Sequence, residues 1–367
     1  MEAQSKKQSL WSTFKKAYLK SKNLKSFWNR LDKTNFSKEL VDTFNLYLNS
    51  ESYNWSAKHW RNNIINHLKI MNDSNQKNTN SLISQDYFTF TYINEPLIKD
   101  AWNEIQDKKI NLDINLFKRQ TNFSLMQSLN HNLILLLLYE TVKSRKVFNH
   151  LDKLKELESK PSLLINNKEI TQDNLNSLLE FEQIEILLGK NKKRKNNILE
   201  VGAGSGRTAK AILSIMDNVK YVIADIPPAI NFCKDSLNKY FPNKKISTAF
   251  EINNQEDLMA ELQKNDILFI FPHQIKLFEK STFDITLAID CLHEMEKKII
   301  KIYMSMFEDV STFLYFKVWE YSGLNYSFYQ YHSIHNKKDY AIKDHWKEHL
   351  KEKCLYPSNF FQLGYEF

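Results

Sequence analysis

The sequence predicts an α/β protein in which a mainly parallel sheet, with helices on both faces, follows a mostly α-helical N-terminal region. Apolar residues recur at three- and four-residue intervals up to about residue 190, and no glycine occurs before Gly189. Beyond Gly189, short apolar runs alternate with amphipathic segments, and three glycines directly follow the first of those runs. We therefore divide the chain into a helical domain, 1–190, and a sheet-forming domain, 191–367.

The N-terminal domain contains three segments whose periodicity predicts helices. They are SLWSTFKKAYL (9–19), WSAKHWRNNIINHLKIM (55–71) and FSLMQSLNHNLILLLLYETV (123–142). In the second segment one face carries large apolar side chains, which predicts that this face is buried. These side chains are Trp55, Trp60, Ile64 and Leu68. A helical domain of this kind is expected to form a lid, an acceptor-binding wall or a contact in a homodimer.

The C-terminal domain contains five short apolar runs that predict strands. They are NILEV (197–201), KYVIAD (220–225), DILFIF (266–271), FDITLAI (283–289) and TFLYFKV (312–318). Amphipathic segments such as RTAKAILSIM (207–216) separate most of them, so the strands are expected to be parallel. KISTAF (245–250) is a further candidate, which leaves open whether it or DILFIF is the third strand of the core. A charged, Asn-rich linker, GKNKKRKNN (189–197), precedes the first strand.

Composition argues against several classes of protein. Hydrophobic content is 42%, charged content is 26% and mean hydropathy is −0.51, as in soluble globular chains. The most apolar run, Leu133–Leu138, is far shorter than the ~20 residues that cross a bilayer, so no membrane span is expected. No secretion signal is visible and the three cysteines lie far apart, so we expect a cytoplasmic protein with reduced thiols. The net charge of +8 comes from dispersed lysines, which does not predict nucleic-acid binding.

The stretch ILEVGAGSGRTAKAI (198–212) predicts a ligand-binding turn between a buried strand and a helix. Gly202, Gly204 and Gly206 allow a tight turn and a close approach of the backbone to a ligand. The pattern G-x-G-x-x-A is also present, so a nicotinamide dinucleotide is the rival ligand. Glu200 would repel a pyrophosphate, whereas it would attract the sulfonium and ammonium groups of S-adenosylmethionine, which therefore fits better.

Acidic residues also follow two further predicted strands. Asp225 ends the second strand, 19 residues after Gly206, where a carboxylate can accept hydrogen bonds from both hydroxyls of a ribose. The alternative is a carboxylate that only opens the next helix. Asp290, His293 and Glu294 follow FDITLAI and are expected at the same rim of the sheet, because the carboxyl ends of parallel strands share one edge.

With these motifs the sequence resembles the class I S-adenosylmethionine-dependent methyltransferases and, among them, the sugar O-methyltransferase family, over about residues 195–330. ILEVGAGSGRTA resembles the first motif, YVIADIP the ribose-binding motif, FDITLAIDCLHEMEKKIIKIY the strand-four motif and FLYFKVWE the fifth strand. The resemblance implies a Rossmann-like methyltransferase sheet that binds S-adenosylmethionine. The implied cofactor-binding residues are Glu200, Gly202, Ala203, Gly204, Gly206, Asp225, Ile226 and Asp290. His293 departs from the family pattern, so the resemblance implies no role for it.

The predicted function is transfer of a methyl group from S-adenosylmethionine to a hydroxyl of a sugar or sugar-containing metabolite. Such a hydroxyl is barely acidic, and His293 is the first candidate for its base because imidazole titrates near neutrality. Glu294 would orient His293 or act as the base itself. No metal is expected, although Asp290, Glu294 and His293 form an alternative Mg²⁺ site. The alternative functions are an NAD(P)-dependent oxidoreductase and an inactive binding module of the methyltransferase fold.

Overall fold

The structure is a computed structural model of the 367-residue chain. It describes residues 24–56, 58–72, 95–110, 116–120, 123–155, 157, 160–189, 196–322 and 331–367. The predicted helix 9–19 and residues 190–195 of the predicted linker lie outside these ranges, so the domain boundary at residue 190 stays a prediction. The predicted fold class is confirmed, because a mostly helical region precedes an α/β sheet that carries helices on both faces.

Four helices at the start of the described chain share a small core. They are α1 (Leu24–Arg30), α2 (Lys38–Asn49), α3 (Glu51–Trp55) and α4 (Lys58–Asn72). The predicted helix 55–71 is confirmed from Lys58 onward, but Trp55 ends α3 and does not belong to α4. Ile64 and Leu68 are buried as predicted, in a core that also contains Trp28 and Phe44. We call α1–α4 the roof unit.

Besides a 3-10 helix, Lys146–Lys153, the described part of the remaining N-terminal region contains three α-helices and one hairpin. These elements are α5 (Glu95–Asp107), α6 (Leu125–Lys143), β1 (Ser162–Ile165), β2 (Lys168–Thr171) and α7 (Gln172–Leu188). Helix α6 confirms the predicted helix 123–142, and Ser124 and Gln127 form a capping box at its start. The hairpin was not predicted. Asn166 and Asn167 form its two-residue turn with φ angles of 51° and 61°, a conformation that asparagine adopts more easily than most residues.

The main sheet has eight strands, six of which are parallel. The strands after the linker are β3 (Asn196–Val201), β4 (Val219–Ala224), β5 (Ile246–Thr248), β6 (Ile267–Ile270), β7 (Phe283–Ile289), β8 (Ser311–Trp319), the separate pair β9 (Tyr321–Ser322) and β10 (His332–Ser333), and then β11 (Lys347–Lys353) and β12 (Phe360–Glu366). The order across the sheet is β11-β12-β8-β7-β3-β4-β6-β5. All five predicted strands are confirmed. DILFIF supplies β6 beside β4, KISTAF supplies the edge strand β5, and the antiparallel strands β11 and β12 were not predicted.

Helices cover both faces of the sheet. Those between the strands are α8 (Arg207–Ile215), α9 (Ala229–Tyr240), α10 (Gln255–Lys264) and α11 (Lys297–Val310). Successive residues of a strand point to opposite faces, so Ile198 belongs to the core that includes α6, α7 and α8, while Leu199 belongs to the core that includes α10 and α11. The long apolar runs of the central strands follow from this burial on both faces. No described helix is long and apolar enough to span a membrane.

The sheet changes its direction of winding at β3, which has β4 on one side and β7 on the other. Ligands of open α/β sheets bind in the crevice beyond the carboxyl ends of the strands at this point. The roof unit packs next to that crevice, because Phe271, directly after β6, belongs to its core. Polar contacts complete the attachment, including Ser52 to His273 at 2.9 Å and Asn231 to Thr43 at 3.2 Å. The crevice is thereby enclosed between the sheet and the roof unit.

Candidate active site

A cavity of about 570 Å³ lies at the carboxyl ends of β3, β4 and β7. Residues that follow these strands form one wall, which we call the donor rim, and α3 and α4 form the facing wall, which we call the acceptor roof. The structure brings most of the predicted site residues to the donor rim. They are Glu200, Gly202, Ala203, Gly204, Asp225, Ile226, Asp290 and Glu294. Gly206 and His293 were also predicted, but they are not among the lining residues.

The glycine loop has the backbone shape that its sequence predicts. Gly202, Gly204 and Gly206 adopt left-handed φ angles of 71°, 57° and 76°. Gly202 has the least space, since a Cβ atom there would lie 2.7 Å from the Cβ of Cys291. Gly206 begins the turn into α8, where a Cβ atom would lie 2.8 Å from the sulfur of Cys233. Gly206 thus allows the helix to pack closely, while the backbone from Gly202 to Gly204 faces the cavity.

Two buried carboxyl groups stand beside the glycine loop. Glu200 is 2% exposed and accepts a hydrogen bond from the Tyr221 hydroxyl at 2.9 Å, and burial raises its pKa to about 7. Asp225 accepts the backbone N–H groups of Gly204 at 3.0 Å and Ile226 at 2.7 Å. Burial raises the pKa of Asp225 to about 6. The bond to Gly204 joins the end of β4 to the loop after β3, so both strands present one continuous surface to a ligand.

Asp290 holds a carboxylate oxygen in the donor rim without a partner. It directly follows β7 with a φ of 58°, a left-handed conformation that is uncommon for residues other than glycine. Its Oδ1 atom is buried and has no hydrogen-bond partner among the described residues, whereas Oδ2 lies 3.9 Å from Nζ of Lys317. Burial raises the pKa of Asp290. A buried acceptor of this kind is costly unless a ligand supplies a donor, which identifies Asp290 as a candidate binding residue.

Glu294 connects the donor rim to the acceptor roof. It ends a short 3-10 helix, Leu292–Glu294, and its Oε2 atom accepts a hydrogen bond of 2.5 Å from the indole N–H of Trp60 in α4. Loss of solvent raises the pKa of Glu294 to about 8, and the nearby carboxylate of Asp290 contributes in the same direction. Glu294 is therefore a carboxyl group that changes its protonation near neutral pH and lines the cavity.

His293 lies behind the donor rim, in the protein interior. The residue is 2% exposed, its ring stacks on Trp319 with centroids 4.8 Å apart, and Phe360 meets the ring edge-on. Burial lowers the pKa of His293 to about 3, so the ring is neutral at physiological pH. An imidazole held between aromatic rings and absent from the cavity wall is poorly placed to deprotonate an acceptor. The position of His293 thus does not support the predicted role as general base.

A buried ion network lies next to the donor rim and was not foreseen from the sequence. Glu180 of α7 accepts hydrogen bonds from both terminal nitrogens of Arg207, at 2.7 and 3.1 Å, and from Nζ of Lys317 at 3.0 Å. Burial alone would raise the pKa of Glu180, but Arg207 and Lys317 together lower it. Arg207 also lines the cavity, so Glu180 compensates a positive charge at the site. No short motif marks Glu180, because its partners come from elements far along the chain.

The electrostatic character of the donor rim favours a cationic ligand. Four carboxyl groups have raised pKa values because their ionised forms are poorly solvated. They are Glu200, Asp225, Asp290 and Glu294. A positive charge in the cavity would stabilise their ionised forms. Among the described residues, no group of three or more His, Cys, Asp or Glu side chains is arranged to hold a metal ion.

Comparisons with known proteins give similarity at the level of structure. No protein-family model matches the chain, and no curated protein matches it. The pyocyanin biosynthetic protein PhzM is similar with 12% identity over 62% of this chain and 63% of its own, at a TM-score of 0.33. An S-adenosylmethionine-dependent methyltransferase from Clostridium acetobutylicum ATCC 824 is similar with 9% identity over 51% of this chain and 90% of its own, at a TM-score of 0.35.

A third similar structure is magnesium protoporphyrin IX methyltransferase, ChlM, from Synechocystis PCC 6803, solved with bound S-adenosylhomocysteine. It has 8% identity over 62% of this chain and 97% of its own, at a TM-score of 0.34. This chain spans less than two thirds of PhzM, whereas it spans nearly all of ChlM. These likenesses concern the fold alone.

Proposed function

We propose that the chain is an S-adenosylmethionine-dependent O-methyltransferase that acts on a hydroxyl of a sugar or sugar-containing metabolite. The observation that carries this proposal is the ring of buried carboxyl groups with raised pKa values, Glu200, Asp225, Asp290 and Glu294, around one cavity. S-Adenosylmethionine carries two positive charges, on its sulfonium and ammonium groups, and it has no phosphate. Its binding would stabilise the ionised carboxylates that burial disfavours.

Individual residues of the donor rim fit separate parts of this donor. The unpartnered Oδ1 of Asp290 would accept a hydrogen bond from the ammonium group. Asp225, at the end of β4, suits the ribose hydroxyls, and Ile226 beside it offers an apolar contact for the adenine ring.

A nicotinamide dinucleotide suits the same cavity less well. Its pyrophosphate would lie at the glycine loop, close to Glu200 and Asp225, and would further oppose the ionisation of these carboxyl groups. Arg207 is a cation near the loop, but Glu180 already engages both of its terminal nitrogens. The charge balance of the donor rim thus favours a cationic ligand over an anionic one.

The acceptor roof supports a carbohydrate acceptor. Trp55 and Trp60 contribute flat apolar rings to the cavity wall, and Ser52, Ser56 and Asn63 contribute hydroxyl and amide groups. A sugar has weakly polar faces that pack on aromatic rings and hydroxyl groups that need hydrogen-bond partners. This combination of side chains satisfies both requirements.

Glu294 is the proposed general base. When bound, S-adenosylmethionine supplies an electrophilic methyl group for an in-line displacement by the acceptor oxygen. Glu294 would take the proton of that hydroxyl onto its carboxylate as the new bond forms, and its pKa of about 8 suits proton transfer near neutrality. The roof unit encloses the cavity on the acceptor side. Holding donor and acceptor in a fixed relative orientation is expected to contribute a major part of the rate enhancement.

A methyl-transfer assay with labelled donor and a mixture of free and nucleotide-linked sugars tests this function. We expect labelled carbohydrate with the unmodified protein, and a fall in turnover of about 10²- to 10⁴-fold in Glu294→Gln. Donor affinity, measured by calorimetry, should fall much less. His293→Phe is the matched variant, because phenylalanine preserves an aromatic ring between Trp319 and Phe360.

Two results would overturn parts of this proposal. A fully active Glu294→Gln variant together with an inactive His293→Phe variant would return the base role to His293. Donor binding without methylation of any carbohydrate would refute the acceptor class, while leaving the donor assignment intact.

A further inference from the structure

Trp60 links the roof unit to Glu294, an acidic side chain of the donor rim that also lines the cavity. We propose that Trp60 is a positioning residue for Glu294: its indole N–H fixes the carboxylate and favours the ionised form that accepts a proton. This inference rests on the proposed function and assigns a role to a residue of the N-terminal helices in the reaction.

The contact is held from both sides. Trp60 lies in the first turn of α4, and this helix is anchored in the core of the roof unit by the buried side chains of Ile64, Ile65 and Leu68. Glu294 ends the 3-10 helix that follows β7, and its neighbour Leu292 is fully buried. Neither partner can move far without disturbing a packed core, so the 2.5 Å hydrogen bond fixes the orientation of the carboxylate.

The arrangement leaves one carboxylate oxygen for an acceptor. Trp60 donates to Oε2, and no residue within the described ranges donates a hydrogen bond to Oε1 of Glu294. Both Glu294 and Trp60 line the cavity. An acceptor hydroxyl that packs against the indole ring would therefore meet the Oε1 atom of Glu294, while Trp60 holds the Oε2 atom.

The chemistry of the indole sets the direction of its effect. An indole N–H only donates, so it stabilises the ionised carboxylate and lowers the pKa of Glu294. An opposing group comes from the loop after β7, where Asp290 raises the pKa of Glu294. The thiol of Cys291 on the same loop also lines the cavity. From α11, Tyr303 lines the same cavity. Among the described side chains, Trp60 is the hydrogen-bond donor that offsets the effect of burial on the pKa of Glu294.

A pH profile of methyl transfer by Trp60→Phe tests the inference. Phenylalanine keeps an aromatic ring but lacks the N–H group, so the pKa of Glu294 should rise. We expect the acid limb of the kcat profile to move up by about one pH unit, with near-normal turnover restored at alkaline pH. Trp55→Phe is the matched control, since Trp55 contacts Tyr303 and should leave the position of the limb unchanged. A uniform loss of turnover at every pH would contradict the role of Trp60.

A second measurement does not depend on methyl transfer. The pH dependence of tryptophan fluorescence in the free protein should include a step from the ionisation of Glu294, sensed by Trp60 among the seven tryptophans of the chain. The step should disappear in Glu294→Gln, a variant that leaves the roof unit unchanged in sequence. A step that persists in Glu294→Gln, or its absence from the unmodified protein, would refute the coupling. A protein that shows the step but methylates nothing would instead refute the proposed function.

Discussion

The donor rim and the acceptor roof of the cavity are built in different ways. The four carboxyl groups of the donor rim stand within a few positions of the end of β3, β4 or β7, so three short stretches of sequence carry them. The acceptor roof comes from α3 and α4, far earlier in the chain, and reaches the cavity through the packing of the roof unit against the sheet. Short motifs therefore specify the donor, whereas the acceptor depends on the association of remote segments.

The two walls also differ in charge. The donor rim contains buried carboxyl groups and the cation Arg207, whereas α3 and α4 contribute aromatic, hydroxyl and amide side chains. Donor binding should therefore respond strongly to charge and pH, and acceptor binding to shape and neutral hydrogen bonds. Variants on each wall therefore test separately how donor binding depends on charge and how acceptor binding depends on shape and neutral hydrogen bonds.

The largest effect is expected from Gly202→Ala in the donor rim. A Cβ atom would meet Cys291 at 2.7 Å, and the φ of 71° is strained for alanine, so the loop must shift. Strain and overpacking of about 3 kcal/mol together would weaken donor binding by about 100-fold. Calorimetry with S-adenosylmethionine measures this change. Gly189→Ala is the matched control, because Gly189 has an ordinary helical φ of −59°. An unchanged donor affinity in Gly202→Ala would show that the glycine loop does not form the donor rim.

A smaller effect on the same wall is expected from Asp225→Ala. Removal of the carboxylate proposed to bind the ribose should weaken donor affinity about 10- to 100-fold, as for other charge-assisted hydrogen bonds, and should change turnover at saturating donor much less. Asp235→Ala, on the exposed face of α9, is the control. Equal donor affinities in the two variants would remove Asp225 from the ribose site and leave it as a structural link between β4 and Gly204.

The smallest effect is expected on the acceptor roof, from Asn63→Ala. Loss of one neutral hydrogen bond should raise the KM for the acceptor by about 3- to 10-fold, while donor affinity stays the same. Asn62→Ala, the adjacent position on α4 but outside the cavity wall, is the control. A change in donor affinity in Asn63→Ala would mean that α4 contributes to both walls, and the contrast between them would fail.

The sequence was most informative where function depends on local backbone geometry. The five strand runs and the left-handed glycines follow from residues that lie next to each other, and the structure confirms these elements. Asp225 and Glu294 reach the cavity for the same reason, since each follows a buried strand end. Their binding and catalytic roles remain predictions.

The features that the sequence did not predict depend on contacts between distant segments. Glu180 meets Arg207 and Lys317 only because α7 packs beside β8 and α8, and Trp60 meets Glu294 only because the roof unit closes over the sheet. The position of His293 does not support its predicted role as base, because the short turn after β7 directs Glu294 to the cavity and the neighbouring ring to Trp319. The hairpin at Asn166 and Asn167 was missed, although an Asn-Asn turn directly after the apolar run Leu163–Ile165 is a recognisable signal.

The most direct test of a cationic donor in an anionic crevice is calorimetry of S-adenosylmethionine binding across pH, in buffers of different ionisation enthalpy. The free protein has raised pKa values of about 6 for Asp225, about 7 for Glu200 and about 8 for Glu294. A cationic ligand lowers these values, so binding should release protons between about pH 6 and 8 and become tighter as pH rises through that window. S-Adenosylhomocysteine, which lacks the sulfonium charge, should release fewer protons. Tight binding of NADH with no binding of S-adenosylmethionine, or donor binding that takes up protons, would contradict the assignment.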